Sequence, residues 1–140
     1  MAVRVYLVED HLLYRDSLAI YLEVTCNFEV CGMAGTAEVA LEEIPEVDPS
    51  IVLVDLSLPG PDGLSVLEGI RSRTPVPCIV LSGHGERSHV ERALASGANG
   101  YVLKGRPEEV RVAMERVLAG GRYISEPLRE GLALDPTAEE

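Results

Sequence analysis

Five polar residues stand where short apolar runs stop. Glu9 and Asp10 follow the run at residues 3–8, Asp55 follows 51–54, Ser82 follows 78–81 and Lys104 follows 100–103. If these runs are strands of one parallel sheet, three carboxylates, one hydroxyl and one ammonium converge on its carboxyl edge, where open α/β sheets bind ligands. Carboxylates so close repel. At about 4 Å and an effective dielectric of about 20, each pair costs about 4 kcal/mol. A hard divalent cation offsets that, and a donor set made only of oxygen favours Mg2+ over Zn2+. Lys104 offsets it too, as a mobile point charge suited to carboxylate or phosphate. Ser82 adds one donor for a phosphoryl oxygen. A carboxylate beside Mg2+, a lysine and a hydroxyl is arranged to accept a phosphoryl group, a transfer that asks mainly for positioning and charge neutralisation. Asp serves as the covalent nucleophile in such chemistry. Taken singly, each residue has an ordinary reading. A strand-end Asp is a turn or cap residue, Ser82 before Gly83 makes a turn, Lys104 is a solvated charge, and Glu9-Asp10 cap the first helix. Their conjunction at four separate strand ends is what points to a site.

The elements that must position these residues follow from two alternating periods. Residues 3–8, 28–34, 51–54, 78–81 and 100–103 are short apolar runs and read as buried strands. Between them apolar residues recur at helical spacing. Tyr14, Leu18, Tyr21 and Leu22 make the first stripe, Ala37, Ala40, Leu41 and Ile44 the second, and Val66, Leu67 and Ile70 the third. Val90, Ala93 and Leu94 make the fourth, and Val110, Met114, Val117 and Leu118 the fifth. Thr36 is the expected N-cap of the second helix, with Pro45 and Pro49 punctuating its exit. Pro107, Glu108 and Glu109 suit the start of the last helix. Residues 57–63 are rich in turn formers. Strand and helix repeated five times imply βαβ units with right-handed crossovers. All-apolar strands imply helices on both faces. The fold class expected is therefore α/β, a doubly wound (βα)5 three-layer sandwich around a parallel five-stranded sheet.

Composition bounds the rest. At 140 residues one domain is expected. The net charge is −11, from 12 Lys+Arg against 23 Asp+Glu. So acidic a chain is not expected to contact nucleic acid or an anionic membrane directly. No apolar run approaches the roughly 20 residues of a transmembrane helix. The first ten residues reach Glu9 and Asp10 before any secretory h-region forms, so a cytoplasmic location is expected. Cys26, Cys31 and Cys78 form no C-x-x-C pair and suit reduced thiols. His11, His84 and His89 share no zinc-type spacing with those cysteines, which counts against a metal site built on soft ligands.

At these residues the sequence resembles the receiver domain of bacterial two-component response regulators. Four blocks match in order: Val5-Tyr6-Leu7-Val8-Glu9-Asp10-His11, then residues 51–63 around Asp55, then Ile79-Val80-Leu81-Ser82-Gly83, then residues 93–104 ending Gly100-Tyr101-Val102-Leu103-Lys104. The resemblance implies a flavodoxin-like fold and residue roles. Asp55 is the implied phosphoacceptor for a sensor histidine kinase. Glu9, Asp10, Asp55 and the backbone carbonyl of Ser57 are the implied ligands of Mg2+. Ser82 and Lys104 are implied to engage the phosphoryl oxygens, and Tyr101 to be an aromatic switch that turns inward when Ser82 moves. The fourth helix, fifth strand and fifth helix are the implied output face. Ser57 and His84 occupy positions implied to tune the phosphoryl lifetime. His11 with Tyr14-Arg15, and residues 119–125, resemble the subfamily whose receivers precede a LuxR-type helix-turn-helix. Residues 1–121 are accordingly expected to be the receiver. Residues 122–140 are expected to be a tail, or the start of a linker to an output domain outside this chain. A homodimer on phosphorylation is a further expected partner, and no enzymatic role is expected beyond the receiver's own phosphorylation and dephosphorylation.

Lys104 is followed by Gly105 where many receivers have proline. A cis peptide before Gly costs about 2.5–4 kcal/mol, so a trans bond is expected. Rival readings lack their residues. A haloacid-dehalogenase-like phosphatase needs a second acid two residues after the nucleophile, where Ser57 stands. An FMN binder wants a phosphate loop where Glu9-Asp10-His11 repel phosphate, and no G-x-x-x-x-G-K-[ST] stretch occurs. The remaining alternative is a receiver-fold interaction module that works without phosphorylation.

Overall fold

The apolar runs become strands β1 (Arg4–Val8), β2 (Glu29–Ala34), β3 (Ile51–Asp55), β4 (Cys78–Ser82) and β5 (Gly100–Leu103). They alternate with helices α1 (Leu12–Ile20), α2 (Ala37–Val47), α3 (Gly63–Arg71), α4 (Arg87–Ala95) and α5 (Pro107–Leu118). The structure is a computed structural model and describes residues 3–56 and 63–129. The strands pair in the order β2-β1-β3-β4-β5, every pair parallel.

Side chains alternate across the sheet, as the period of a strand requires. Tyr6, Val8, Val52, Val54, Val80 and Tyr101 pack on one face against α2, α3 and α4. Val5, Leu7, Ile51, Leu53, Ile79 and Leu81 pack on the other against α1 and α5. Both faces are dry, which is why the strands carry no polar alternation. Among the described residues, no helix is long and apolar enough to cross a membrane.

The structure differs from the sequence reading in three places. The sheet has a sixth parallel strand, β6 (Tyr123–Ile124), beside β5, where five strands were expected. It falls within the 122–140 segment read as tail or linker. Two residues are too few to show a period. They are held instead by their neighbours: Ser125 N–H donates to Tyr101 O at 2.9 Å, Ser125 Oγ accepts from Leu103 N–H at 2.9 Å, and Ser125 Oγ donates to Glu109 Oε1 at 2.7 Å. Second, Pro45 does not end its helix. It lies one turn from the end of α2, which stops at Asp48 in a left-handed conformation at φ 56°. A proline there removes one backbone hydrogen bond, and Ile44 is buried in the core beside it. Third, α1 is capped by the side chain of His11, which accepts from Tyr14 N–H, and not by Glu9 or Asp10. The helix then widens into a π turn at Tyr21–Thr25, which the helical stripe did not reveal. Thr36 caps α2 as expected, accepting from Val39 N–H.

Gly32 sits on a bulge of β2, where the register with β1 slips between Val5 and Tyr6. A Cβ at Gly32 would lie 2.6 Å from the Tyr6 ring, so the close approach needs glycine. The three cysteines are free thiols, and burial pushes Cys78 up to about 12.

Candidate functional site

The strand order sets the site. β1, β3, β4 and β5 lie side by side and in parallel, so Glu9 and Asp10, Asp55, Ser82 and Lys104 emerge along one edge. From β1 the chain runs outward to β2 and then crosses back to β3. This makes the β1/β3 crevice the switch point where open α/β sheets bind ligands. Backbone bonds fix the ends: Glu9 N–H donates to Ala34 O at 2.8 Å, Leu56 N–H to Leu81 O at 3.2 Å, and Lys104 N–H to Ser82 O at 2.8 Å.

Glu9 and Asp55 are 3% and 2% exposed, while Asp10 is open to solvent. One oxygen from each of the three carboxylates lies within 4.8 Å of the others. Lys104 Nζ reaches between them, 3.1 Å from Glu9 Oε1 and 3.3 Å from Asp55 Oδ2. Glu9 Oε2 accepts from His11 N–H at 3.0 Å and from Lys104 at 3.3 Å. Glu9 Oε1 is buried and accepts no hydrogen bond among the described residues, although the ammonium is near. Burial pushes the Glu9 carboxyl above its ordinary range and the charge of Asp55 adds to that, while the bonds from His11 and Lys104 oppose it.

These residues suit a hard divalent cation. The donors are all oxygens, their formal charges with Lys104 sum to −2, and a buried carboxylate oxygen lacks a hydrogen-bond donor among the described residues. Ser57, whose carbonyl was the fourth expected ligand, lies outside the described residues.

Ser82 is fully buried, and its Oγ accepts from His84 N–H at 2.9 Å. Tyr101 is fully buried, and its hydroxyl donates to His84 O at 2.8 Å. The aromatic ring thus sits inward, and Ser82 and Tyr101 hold the backbone of His84 from both sides, one at its N–H and the other at its carbonyl. The His84 side chain itself is exposed beside the site. The bond from Lys104 to Gly105 is trans, and Gly105 takes φ 90°, a left-handed value that glycine adopts without strain. Gly105 in place of proline thus leaves Lys104 Nζ within 3.3 Å of Asp55 Oδ2.

One residue the sequence reading left in a helical stripe also belongs here. Lys104 Nζ lies 4.9 Å from the centroid of the Tyr14 ring, a cation–π contact that steadies the ammonium. Burial, then the charges of Glu9 and Asp55, push the Tyr14 hydroxyl up to about 12. An aromatic in the first turn of a helix carries no such signal in sequence.

The model of the response regulator receiver domain matches residues 5–115, a span that holds every candidate residue named above. The chain belongs to the response regulator receiver domain family. The receiver is 35% identical over 132 residues to the transcriptional regulatory protein MctR of Rhizobium johnstonii, covering 93% of this chain and 62% of that protein. It is 38% identical over 134 residues to the transcriptional activator ExaE of Pseudomonas putida, covering 94% of this chain and 63% of that protein. The chain thus spans less than two thirds of the length of these curated relatives. Among solved structures, a LuxR-family two-component response regulator from Aurantimonas superposes with a TM-score of 0.88 at 30% identity, covering 99% of this chain and 97% of that one. The receiver domain of a NarL response regulator from Mycobacterium tuberculosis gives 0.79 at 32% identity, covering 85% and 98%. This chain is accordingly a response regulator receiver domain, similar over its length to a two-component response regulator of the LuxR family.

Proposed function

We propose that Asp55 accepts a phosphoryl group from the phosphohistidine of a sensor kinase. The observation that carries this is the buried Asp55 carboxylate with the Lys104 ammonium 3.3 Å away, among two further carboxylates. An Asp55 carboxylate oxygen attacks phosphorus. A P–O bond forms, the P–N bond to the kinase imidazole breaks, and that imidazole leaves with its electron pair and takes a proton. Glu9, Asp10, Asp55 and the Ser57 carbonyl would hold Mg2+, which supplies charge neutralisation for the phosphoryl oxygens. Lys104 then exchanges part of its contact with Glu9 for a phosphoryl oxygen, and Ser82 donates its hydroxyl to another. By the family resemblance, Ser57 and His84 would set how readily water reaches the acyl phosphate.

Phosphorylation acts by shifting a population. Moving a ratio from 1:99 to 99:1 takes about 5.5 kcal/mol of differential stabilisation. Charge-assisted bonds from Ser82 and Lys104 supply this order of energy. When Ser82 turns to the phosphoryl group, the His84 backbone and the Tyr101 hydroxyl move with it. This carries the change to the face of α4, β5 and α5. The consequence is control of transcription through an output domain, with a second copy of the receiver as partner, in the cytoplasm.

The test is intact mass after incubation with acetyl phosphate, with and without Mg2+, for wild type and Asp55→Asn. A single phosphoryl adduct that needs Mg2+ and is absent from Asp55→Asn is expected. An unmodified wild type that still binds Mg2+ would replace this reading with a phosphorylation-independent interaction module.

A further inference from the structure

A second cluster of potential ligands lies on the β4–α4 loop and the first turn of α4, built from residues other than the acidic site. His84, Glu86 and His89 each offer one ligand atom, and these atoms lie within 4.8 Å of one another. Glu86 Oε1 stands between the two histidines, 3.3 Å from His89 Nδ1 and 3.7 Å from His84 Nδ1. We propose that His84, Glu86 and His89 bind a borderline transition-metal dication of the Zn2+ class.

Three observations carry this. First, His89 Nδ1 is buried and makes no hydrogen bond among the described residues, although Glu86 Oε1 lies 3.3 Å away. A buried ring nitrogen without a partner is costly, and a metal is a common partner for imidazole. Second, Glu86 holds the N-cap position of α4 in extended backbone, yet its side chain makes no capping bond. Ser, Thr, Asp or Asn would cap there. The carboxylate faces the imidazoles instead. Third, the donor set is two nitrogens and one oxygen. Imidazole suits Zn2+, Ni2+ and Cu2+, whereas Mg2+ prefers oxygen alone. Donor separations of 3.3 and 3.7 Å suit the roughly 2.0–2.2 Å metal bonds of a tetrahedral site. Arg87, the nearest cation in sequence, is drawn off by Glu91 at 3.1 Å.

The two rings are stacked, with centroids 4.9 Å apart and planes 9° apart. Parallel rings cannot both aim a lone pair at one ion, so one must turn. His84 is half exposed and free to do so. Water would fill the remaining coordination. Because the His84 backbone bonds to both Ser82 and Tyr101, an ion here would clamp the loop beside the acidic site. The binding itself does not depend on phosphorylation of Asp55.

The test is titration calorimetry with Zn2+ in saturating Mg2+, on the full chain. One equivalent of Zn2+ bound by wild type and by Asp55→Asn, with affinity lowered at least tenfold in both His84→Ala and His89→Ala, is expected. Circular dichroism of the two histidine variants separates lost binding from lost fold, and Glu86→Gln gives an intermediate loss without removing a ring. No Zn2+ binding by wild type would overturn the proposal. So would binding that survives both histidine substitutions, or that disappears in Asp55→Asn, since the ion would then lie in the acidic site.

Discussion

Replacing Asp55 by Asn should stabilise the metal-free protein. Asp55 is 2% exposed, and its carboxylate lies within 4.8 Å of ligand oxygens from Glu9 and Asp10. At that separation and an effective dielectric of about 20, each carboxylate pair repels by about 3.5 kcal/mol or more. Solvent screening reduces the share of the exposed Asp10. Lys104 lies 3.3 Å away and attracts by about 5 kcal/mol on the same scale. Attraction and repulsion therefore come near to cancelling, and the several kcal/mol of effective desolvation for a buried ion decides the sign. The substitution strands no charge, because Lys104 keeps its contact with Glu9 at 3.1 Å. Asn preserves the shape and sheds the ion. The expected gain is about 2 kcal/mol, a part of the several kcal/mol that desolvation of a buried ion costs. For a chain of this length that is roughly 6 °C in Tm. Mg2+ should reverse the order, because a ligand at about a hundred times its Kd adds about 2.7 kcal/mol to the protein that binds it. The Asn variant has lost a ligand and gains less. Scanning calorimetry in EDTA and in saturating Mg2+ reads both effects. An Asp55→Asn variant that melts at or below wild type in EDTA would refute the argument that the acidic cluster is strained without its cation.

The same cluster sets a pH dependence. Glu9 is raised above its ordinary 4.5, so the folded state takes up this proton before the unfolded chain does, and stability rises as pH falls through its raised value toward about 4.5. Urea midpoints in EDTA should therefore increase as pH is lowered toward the ordinary carboxylate range, and Mg2+ should flatten the slope; a slope of opposite sign would contradict the raised value. Gly32→Ala drives a Cβ to 2.6 Å from the Tyr6 ring and should cost about 1–3 kcal/mol by overpacking, read as a lower urea midpoint at unchanged m. Glu109→Ala removes the acceptor for the Tyr123 hydroxyl, the Ser125 hydroxyl and the Glu126 N–H. Hydrogen exchange should quicken at Leu103 and Ser125 while the central amides of β1 and β3 stay protected. Tyr101→Phe loses one bond to His84 O and should cost about 1 kcal/mol.

The sheet and the chemistry at its edge were legible for one physical reason. Parallel strands buried on both faces read as unbroken apolar runs, so the polar residue that ends each run is conspicuous, and the strand order brings those ends together. Asp55 after residues 51–54 and Lys104 after 100–103 needed no three-dimensional information. What escaped was set by contacts distant in sequence. β6 exists because Ser125 and Glu109 hold two residues beside β5. The place of Tyr14 under Lys104 depends on two elements 90 residues apart (Tyr14 and Lys104). Pro45 sits in the last turn of α2, where one lost bond is offset by burial of Ile44. His84 and His89 share no zinc-type spacing with a cysteine, and what links them is Glu86 at the start of α4.

The central claim is that the Asp55 side chain carries the phosphoryl group. Borohydride reduces an aspartyl phosphate to homoserine, marking the acylated residue irreversibly. Treating the receiver with acetyl phosphate and Mg2+, reducing it, and mapping peptides by mass spectrometry locates that mark. The account predicts homoserine at position 55 and at no other aspartate, with none when Mg2+ is withheld. Homoserine at Asp10, or at several aspartates without preference, would contradict it.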